Sequence, residues 1–255
     1  MSVFHALILG LVEGLTEFLP VSSTGHLILA GRALQLEQTE FLKTFDVAIQ
    51  AGAILAVVAL YAKRFLGDFV MLKKVAAAFV PTAVIGLVLH GFAKRYLLGN
   101  AGVVVWSLMI GGAALIAFER WRAKRPPKAD VAIGYRQAVL IGCCQALAIV
   151  PGVSRSAATI VGALLLGAGR KEAVEFSFLL AIPTIAAATA LDLLKTGMSF
   201  SPSENAALAV GAAAAFVSAL FAIKAFMRHL SGRSFTAFGA YRIAVAVVFA
   251  LMIGF

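Results

Sequence analysis

The sequence predicts an all-α integral membrane protein: six transmembrane helices plus two re-entrant helix pairs in an inverted-topology repeat. Three observations predict it. Apolar residues make up 62% of the 255-residue chain and charged residues 13%, against about half and about a quarter in a soluble domain. Six stretches are long enough, at roughly 17–25 residues, to cross a hydrocarbon core. Two further apolar stretches are interrupted by acids, prolines and hydroxyl residues, and these two resemble each other. A soluble fold of this length has too little interior for so much apolar surface. The net charge of +10 does not point to nucleic acid, because the positive residues lie in short loops between apolar spans.

From the N-terminus, the first element is the broken segment 6–31, interrupted by Glu13, Glu17, Pro20, Ser22, Ser23 and His26. The chain has no basic run before this segment, so it is expected to insert whole, without a cleaved leader. Spans follow at 45–62, 75–93 and 101–118, the last bracketed by Trp106 and Trp121 as interfacial anchors. A basic linker, 122–128, leads to the second broken segment, 137–169, interrupted at 151–156. Each side of that interruption is about 14 residues, enough for half a bilayer. Irregular backbone at membrane depth survives only where protein or a water-filled cavity surrounds it. Each broken segment is therefore expected to be a re-entrant helix–loop–helix. The remaining spans are expected at 173–194, 205–223 and 234–255. Cys143 and Cys144 are adjacent in an apolar run without metal-ligand spacing, and are expected to be two buried free thiols.

The two broken segments align at an offset of 132: Gly10, Leu15, Val21 and Ser22 match Gly142, Leu147, Val153 and Ser154. At offset 131, Phe45, Ile54, Ala56 and Leu60 match Phe176, Ile185, Ala187 and Leu191. The chain thus reads as a single membrane domain, 1–255, with internal repeats of roughly 1–122 and 131–255. One re-entrant pair plus three spans crosses the membrane an odd number of times, so the second half enters from the opposite side. Transporters use that arrangement with the working site near the midplane. Loop charge agrees: 15 Lys and Arg lie in loops on the side away from the N-terminus, against Arg32, Lys43, Lys94, Arg95 and Lys195 on the other. Positive loops mark the cytoplasm, which puts both termini outside. The first broken segment then enters from the outer face and the second from the inner.

Charge inside a membrane is expensive and by default marks function. Glu13 and Glu17 stand one turn apart on a helix face. Two like charges there repel unless a proton or cation joins them. Mg²⁺ or Ca²⁺ would resolve the repulsion, with Glu13 and Glu17 as metal ligands. Ser22, Ser23 and Thr24 follow Pro20 at the start of a new helix, where free N–H groups can receive an anion. His26 lies just past these hydroxyls. The second loop offers Ser154, Ser156 and Thr159 around Arg155, whose planar fork suits phosphate oxygens. Arg155 needs an anionic partner, either Glu17 or Glu13 in an ion pair or a phosphate bridging both loops. Asp46, Gln50, Glu119, Glu175 and Asp192 lie near span ends; most are expected to be solvated, with Gln50 the best placed to reach the site.

The strings Glu13-Gly-Leu-Thr-Glu17-Phe-Leu-Pro-Val-Ser-Ser-Thr-Gly-His26 and Pro151-Gly-Val-Ser-Arg-Ser-Ala-Ala-Thr159 carry a resemblance across essentially the whole chain. It resembles the bacterial undecaprenyl-diphosphate phosphatase family, the bacitracin-resistance type. That resemblance implies removal of one phosphate from a C55 isoprenyl diphosphate, so that the lipid carrier re-enters cell-wall polymer synthesis, and a need for a divalent cation. It implies active-site roles for Glu13, Glu17, Ser23, His26, Ser154, Arg155 and Thr159. Ala157 departs from the family's more common Gly. The attacking group stays open between Ser23 activated by His26 or Glu17, a water activated by Glu17, and His26 itself. The alternative function is a transporter or flippase of a lipid phosphate. Expected partners are the lipid diphosphate and membrane lipid, with no nucleic acid. The small residues Gly111, Gly112 and 206–215 allow close packing within a chain or in a homodimer. The expected location is the bacterial inner membrane, with the site open to its outer face.

Overall fold

The computed structural model of the chain describes residues 1–97, 100–124, 131–196, 200–230 and 234–254. Most of the basic linker lies outside the described residues. Six helices are long and apolar enough to cross a membrane: α3 (Glu40–Gly67), α4 (Phe69–Phe92), α5 (Ala101–Ala123), α8 (Arg170–Thr196), α9 (Pro202–His229) and α10 (Thr236–Ile253). They coincide with the six expected spans. No strand occurs among the described residues. The broken segments form two pairs of short helices, α1 (Val3–Thr16) with α2 (Ser23–Ala33), and α6 (Tyr135–Gln145) with α7 (Arg155–Leu165). At 1.5 Å per residue, 11–14 residues reach about 17–21 Å, well short of a ~30 Å core.

Local chemistry explains where these short helices stop and restart. Past α1 the chain turns at Pro20, and the Val21 N–H donates to Leu19 O. Ser22 then takes φ 72° and caps α2, its hydroxyl accepting from the Gly25 N–H. In the second pair Pro151 and Gly152 (φ 95°) make the turn, and Ser154 takes φ 73° and caps α7 from the Ala157 N–H. A non-glycine residue held at such φ is costly and usually over-determined by its surroundings. The far ends also correspond. The Leu34 and Leu166 caps have nearly the same φ and ψ, and their N–H groups reach the Ala30 and Gly162 carbonyls.

Helix packing keeps the correspondence. Helix α1 lies along α9, and α6 lies along α4; α3 meets α9, and α8 meets α4; α3 also packs on α8, and α5 on α10. A Cβ on Gly10 would collide with the Gly211 carbonyl on α9, and one on Gly142 with the Ala78 carbonyl on α4. A hydroxyl also crosses each contact, Ser218 to Gly10 O and Thr82 to Gly142 O. The core lies where the two helix pairs meet α3 and α8, around Phe18, Phe45, Phe176 and Phe178. The small residues Gly111 and Gly112 are used inside the chain, against α10.

Three expectations change here. Cys143 is exposed and Cys144 half-buried, with no disulfide; adjacent residues on a helix point about 100° apart, so both cannot face the core. Glu119 is buried rather than solvated, because Arg170 grips it through two bonds of 2.8 and 2.6 Å. Glu175 is likewise buried.

Candidate active site

The two breaks meet. Glu17, in the turn after α1, gives each carboxylate oxygen a different partner. Its Oε1 accepts from Arg155 Nη2 at 2.9 Å, and its Oε2 accepts a short hydrogen bond from the Ser23 hydroxyl. Arg155 is the first residue of α7, so one carboxylate joins the loops across 138 residues of sequence. The guanidinium also donates through Nη1 to Ser177 O at 3.0 Å and lies 5.6 Å over the Phe18 ring. These contacts fix the plane of the fork. Its Nε is buried with no partner among the described residues.

Glu13 stands one turn behind Glu17 and is completely buried. Neither of its carboxylate oxygens meets a donor among the described residues. Its charged neighbours are Glu17 and Asp46, which repel it, and Arg155, which attracts it. Asp46 Oδ1 is likewise buried without a partner. Orphaned carboxylate oxygens in low dielectric are costly, and hard oxygen donors suit Mg²⁺ or Ca²⁺. The residues therefore fit a divalent cation in chemical type. Among the described residues no three His, Cys, Asp or Glu side chains are gathered closely enough to ligate one ion.

His26 points elsewhere. Its Nδ1 lies 2.7 Å from Ser22 O, and a carbonyl can only accept, so the proton belongs on Nδ1. In the neutral ring Nε2 then accepts from the Tyr241 hydroxyl at 2.9 Å, with the two rings stacked at 5.5 Å. The side chain bonded to the Ser23 hydroxyl is Glu17, not His26.

Beside Tyr241, Arg242 is 1% exposed. Its two terminal nitrogens reach Pro20 O (3.5 Å) in the first loop, Gly152 O (2.9 Å) and Val153 O (3.1 Å) in the second, and Ser107 O (3.1 Å) on α5. A Cβ at Gly111 would collide with this guanidinium. One buried cation thus ties both breaks to α5 and α10.

A cavity of about 570 Å³ adjoins the Glu17–Arg155 pair and is lined by Ser22, Ser23, Thr24, Gln50, Ser154 and two helix faces. The other two expected loop hydroxyls lie behind Arg155. Ser156 and Thr159 are fully buried; Ser156 donates to Leu19 O at 2.6 Å, and Thr159 bonds the Ser177 hydroxyl at 2.6 Å and the Arg155 carbonyl at 3.0 Å. Ser156 ties the two loops together, and Thr159 ties α7 to α8.

The family described as Bacitracin resistance protein BacA matches residues 6–248. The chain belongs to the BacA family. It is 47% identical over 251 residues to the undecaprenyl-diphosphatase of Aquifex aeolicus (strain VF5), covering 98% of each chain. Identity is 49% over 253 residues to the enzyme of that name from Sulfurihydrogenibium sp. (strain YO3AOP1), covering 98% of this chain and 99% of the relative. For the Bdellovibrio bacteriovorus undecaprenyl-diphosphatase it is 47% over 257 residues, covering 99% and 97%.

Within this BacA chain the structure also brings in residues that sequence reasoning passed over. Arg242 carried a usable signal, as the one Lys or Arg inside any of the six expected spans. Asp46 was expected in solvent, but α3 turns it toward Glu13. Tyr241, Ser177 and Phe18 carried no signal, because each acts through a partner remote in sequence or through an ordinary ring.

Proposed function

We propose that this chain hydrolyses undecaprenyl diphosphate to undecaprenyl phosphate and phosphate at the outer face of the bacterial inner membrane, returning the lipid carrier to cell-wall polymer synthesis. The observation that carries the reading is Glu17 held between the Ser23 hydroxyl and the Arg155 guanidinium. The similarity to undecaprenyl-diphosphatases supports it. The two helix pairs are re-entrant, and the halves form an inverted repeat; recurrence of Ser22 and Ser154 geometry and of the packing relations supports this. The 15-to-5 split of loop charge supports the orientation.

In this mechanism the diphosphate oxygens lie against Arg155 and the free N–H groups that begin α2 and α7. Ser23 Oγ attacks the terminal phosphorus as its proton passes to Glu17. The bond from that phosphorus to the bridging oxygen breaks, and the lipid monophosphate leaves with both bond electrons. Glu17 passes that proton to the departing monophosphate. Water then attacks the phosphoserine as Glu17 takes one of its protons, the bond from Ser23 Oγ to phosphorus breaks, and Oγ regains the proton from Glu17 as phosphate departs. Glu13, with Glu17 and Asp46 as neighbours, would hold a divalent cation, which when bound neutralises diphosphate charge. His26, already bonded to Tyr241, shapes the first turn of α2. Transport or flipping of a lipid phosphate is not favoured, because buried carboxylates beside the hydroxyl oppose an anion unless they serve chemistry on it.

The test is phosphate release from undecaprenyl diphosphate by the purified chain in detergent, with Glu17→Gln alongside. Loss of a positioned base should lower kcat by about 10²–10⁴. Full release by the variant would remove Glu17 from the chemistry.

A further inference from the structure

The cavity beside the site reaches well past the polar groups. Beyond Ser23 and Arg155 its walls are α4 and α8, chiefly Ala83, Gly86 and Leu87 facing Ala187, Ala188 and Leu191. Glu17 and Arg155 are its only charged lining residues among those described. Gln145, at its floor, donates to the Thr82 and Thr184 hydroxyls at 3.0 and 2.9 Å, so this polar patch is neutral and largely self-bonded. The outer parts of both helices continue as exposed apolar surface. Val84, Leu87 and Val88 on α4 and Leu194 on α8 are more than half exposed. Helix α4 is the least buried of the six spans.

Comparison of the two halves explains the opening. The partner of the α8–α4 pair under exchange of halves is α3–α9, and that pair is closed. A Cβ on Gly52 would collide with the Ala212 carbonyl, and one on Gly211 with the Phe45 ring. The alignment of Phe45 with Phe176 and Ile54 with Ile185 puts Pro183 where α3 has Gly52. The paired contacts of Gly10 with Gly211 and Gly142 with Ala78 put Phe79 where α9 has Ala212. A ring on each side therefore stands where the closed pair has a glycine and an alanine. Pro183 lies inside α8, and Phe79 lines the cavity. Small residues let the backbones meet in one half, and the other half carries a proline and a phenylalanine at the matching positions.

We propose that the gap between α4 and α8 is a lateral portal that takes the first isoprene units of the lipid substrate from the membrane. The polar head then reaches Arg155 and Ser23 while the remaining chain stays among the bilayer lipids. This rests on the reading that the substrate is a prenyl diphosphate. The matching α3–α9 pair is closed, so substrate enters and product leaves between α4 and α8.

Gly86 and Ala188 supply the test, because a Cβ on Gly86 meets nothing within 4 Å and Ala188 is exposed to the cavity. Gly86→Phe and Ala188→Phe should fill the gap without disturbing the core. For farnesyl and undecaprenyl diphosphate KM should rise about tenfold or more, the effect of displacing a few buried CH₂ groups. For five-carbon dimethylallyl diphosphate it should change little. Leu251→Phe, on the exposed face of α10, should match wild type throughout. A farnesyl diphosphate carrying a diazirine on its chain should label α4 and α8. Unchanged KM for the long substrates, an equal rise for dimethylallyl diphosphate, or labelling confined to α5, α9 and α10 would each overturn the portal. Labelling of α4 and α8 without phosphate release from any substrate would keep the portal and remove the hydrolase reading.

Discussion

Arg155 and Arg242 are both arginines set among apolar helices, and their partners differ. Arg155 has one acidic partner at ion-pair distance and lines the cavity; in the proposed mechanism it exchanges part of its contact with Glu17 for a phosphate. Arg155→Lys keeps the charge but loses the fork, and KM for prenyl diphosphate should rise while the melting temperature holds; an unchanged KM would deny it a substrate contact. Arg242 donates to four backbone carbonyls. One ammonium cannot meet carbonyls from three segments, so Arg242→Lys should lower kcat at least about tenfold, a loss of ~1.4 kcal/mol in the transition state. Arg242→Met leaves those carbonyls unpaired at about 1–3 kcal/mol each and should reduce folded yield. At this scale the sequence was legible where polar residues break apolar runs, which is why Glu13 to His26 and Pro151 to Thr159 stood out. It was illegible where meaning depends on a distant partner: His26 and Tyr241 are 215 residues apart.

Helix existence was legible because a bilayer demands length and apolarity together, and all six spans fall where these coincide. How closely the helices approach was not, since it turns on single small residues whose neighbours come from the other half. Gly10 and Gly86 make the contrast testable. Gly10→Ala forces a Cβ into the Gly211 carbonyl and should destabilise the chain by about 1–3 kcal/mol, as overpacking does. Gly86→Ala enters open space in a helix interior and should stabilise it by up to about 1 kcal/mol. Detergent melting curves of the two variants read both signs, and a shift in the same direction for both would refute the packing described. The serine caps show the same dependence on context. Ser22 and Ser154 look like ordinary N-caps in sequence, and only the backbone shows both at positive φ.

The whole molecule joins halves that are alike in backbone and unlike in side chains. One contributes Glu13, Glu17, Ser23 and Asp46; the other contributes Arg155 and, from its last helix, Arg242. Gln145 stands where the first half has Glu13 and donates to two threonine hydroxyls. The site therefore exists only when the halves fold together. Their orientation is open to labelling with a membrane-impermeant maleimide, after Cys143 and Cys144 are changed to alanine. A cysteine at exposed Glu37 should react in intact cells, and one at exposed Lys124 only after permeabilisation; the reverse pattern would put the site on the cytoplasmic face. The central claim is that Ser23 attacks, with Glu17 as its base and Arg155 from the other half holding the phosphate. Rapid quenching with undecaprenyl diphosphate labelled at its terminal phosphorus tests it most directly. Labelled phosphoserine at position 23 should form and decay as fast as turnover, be absent in Ser23→Ala and fall sharply in Glu17→Gln. Labelled phosphate released at full rate, with no labelled protein at any quench time, would contradict it.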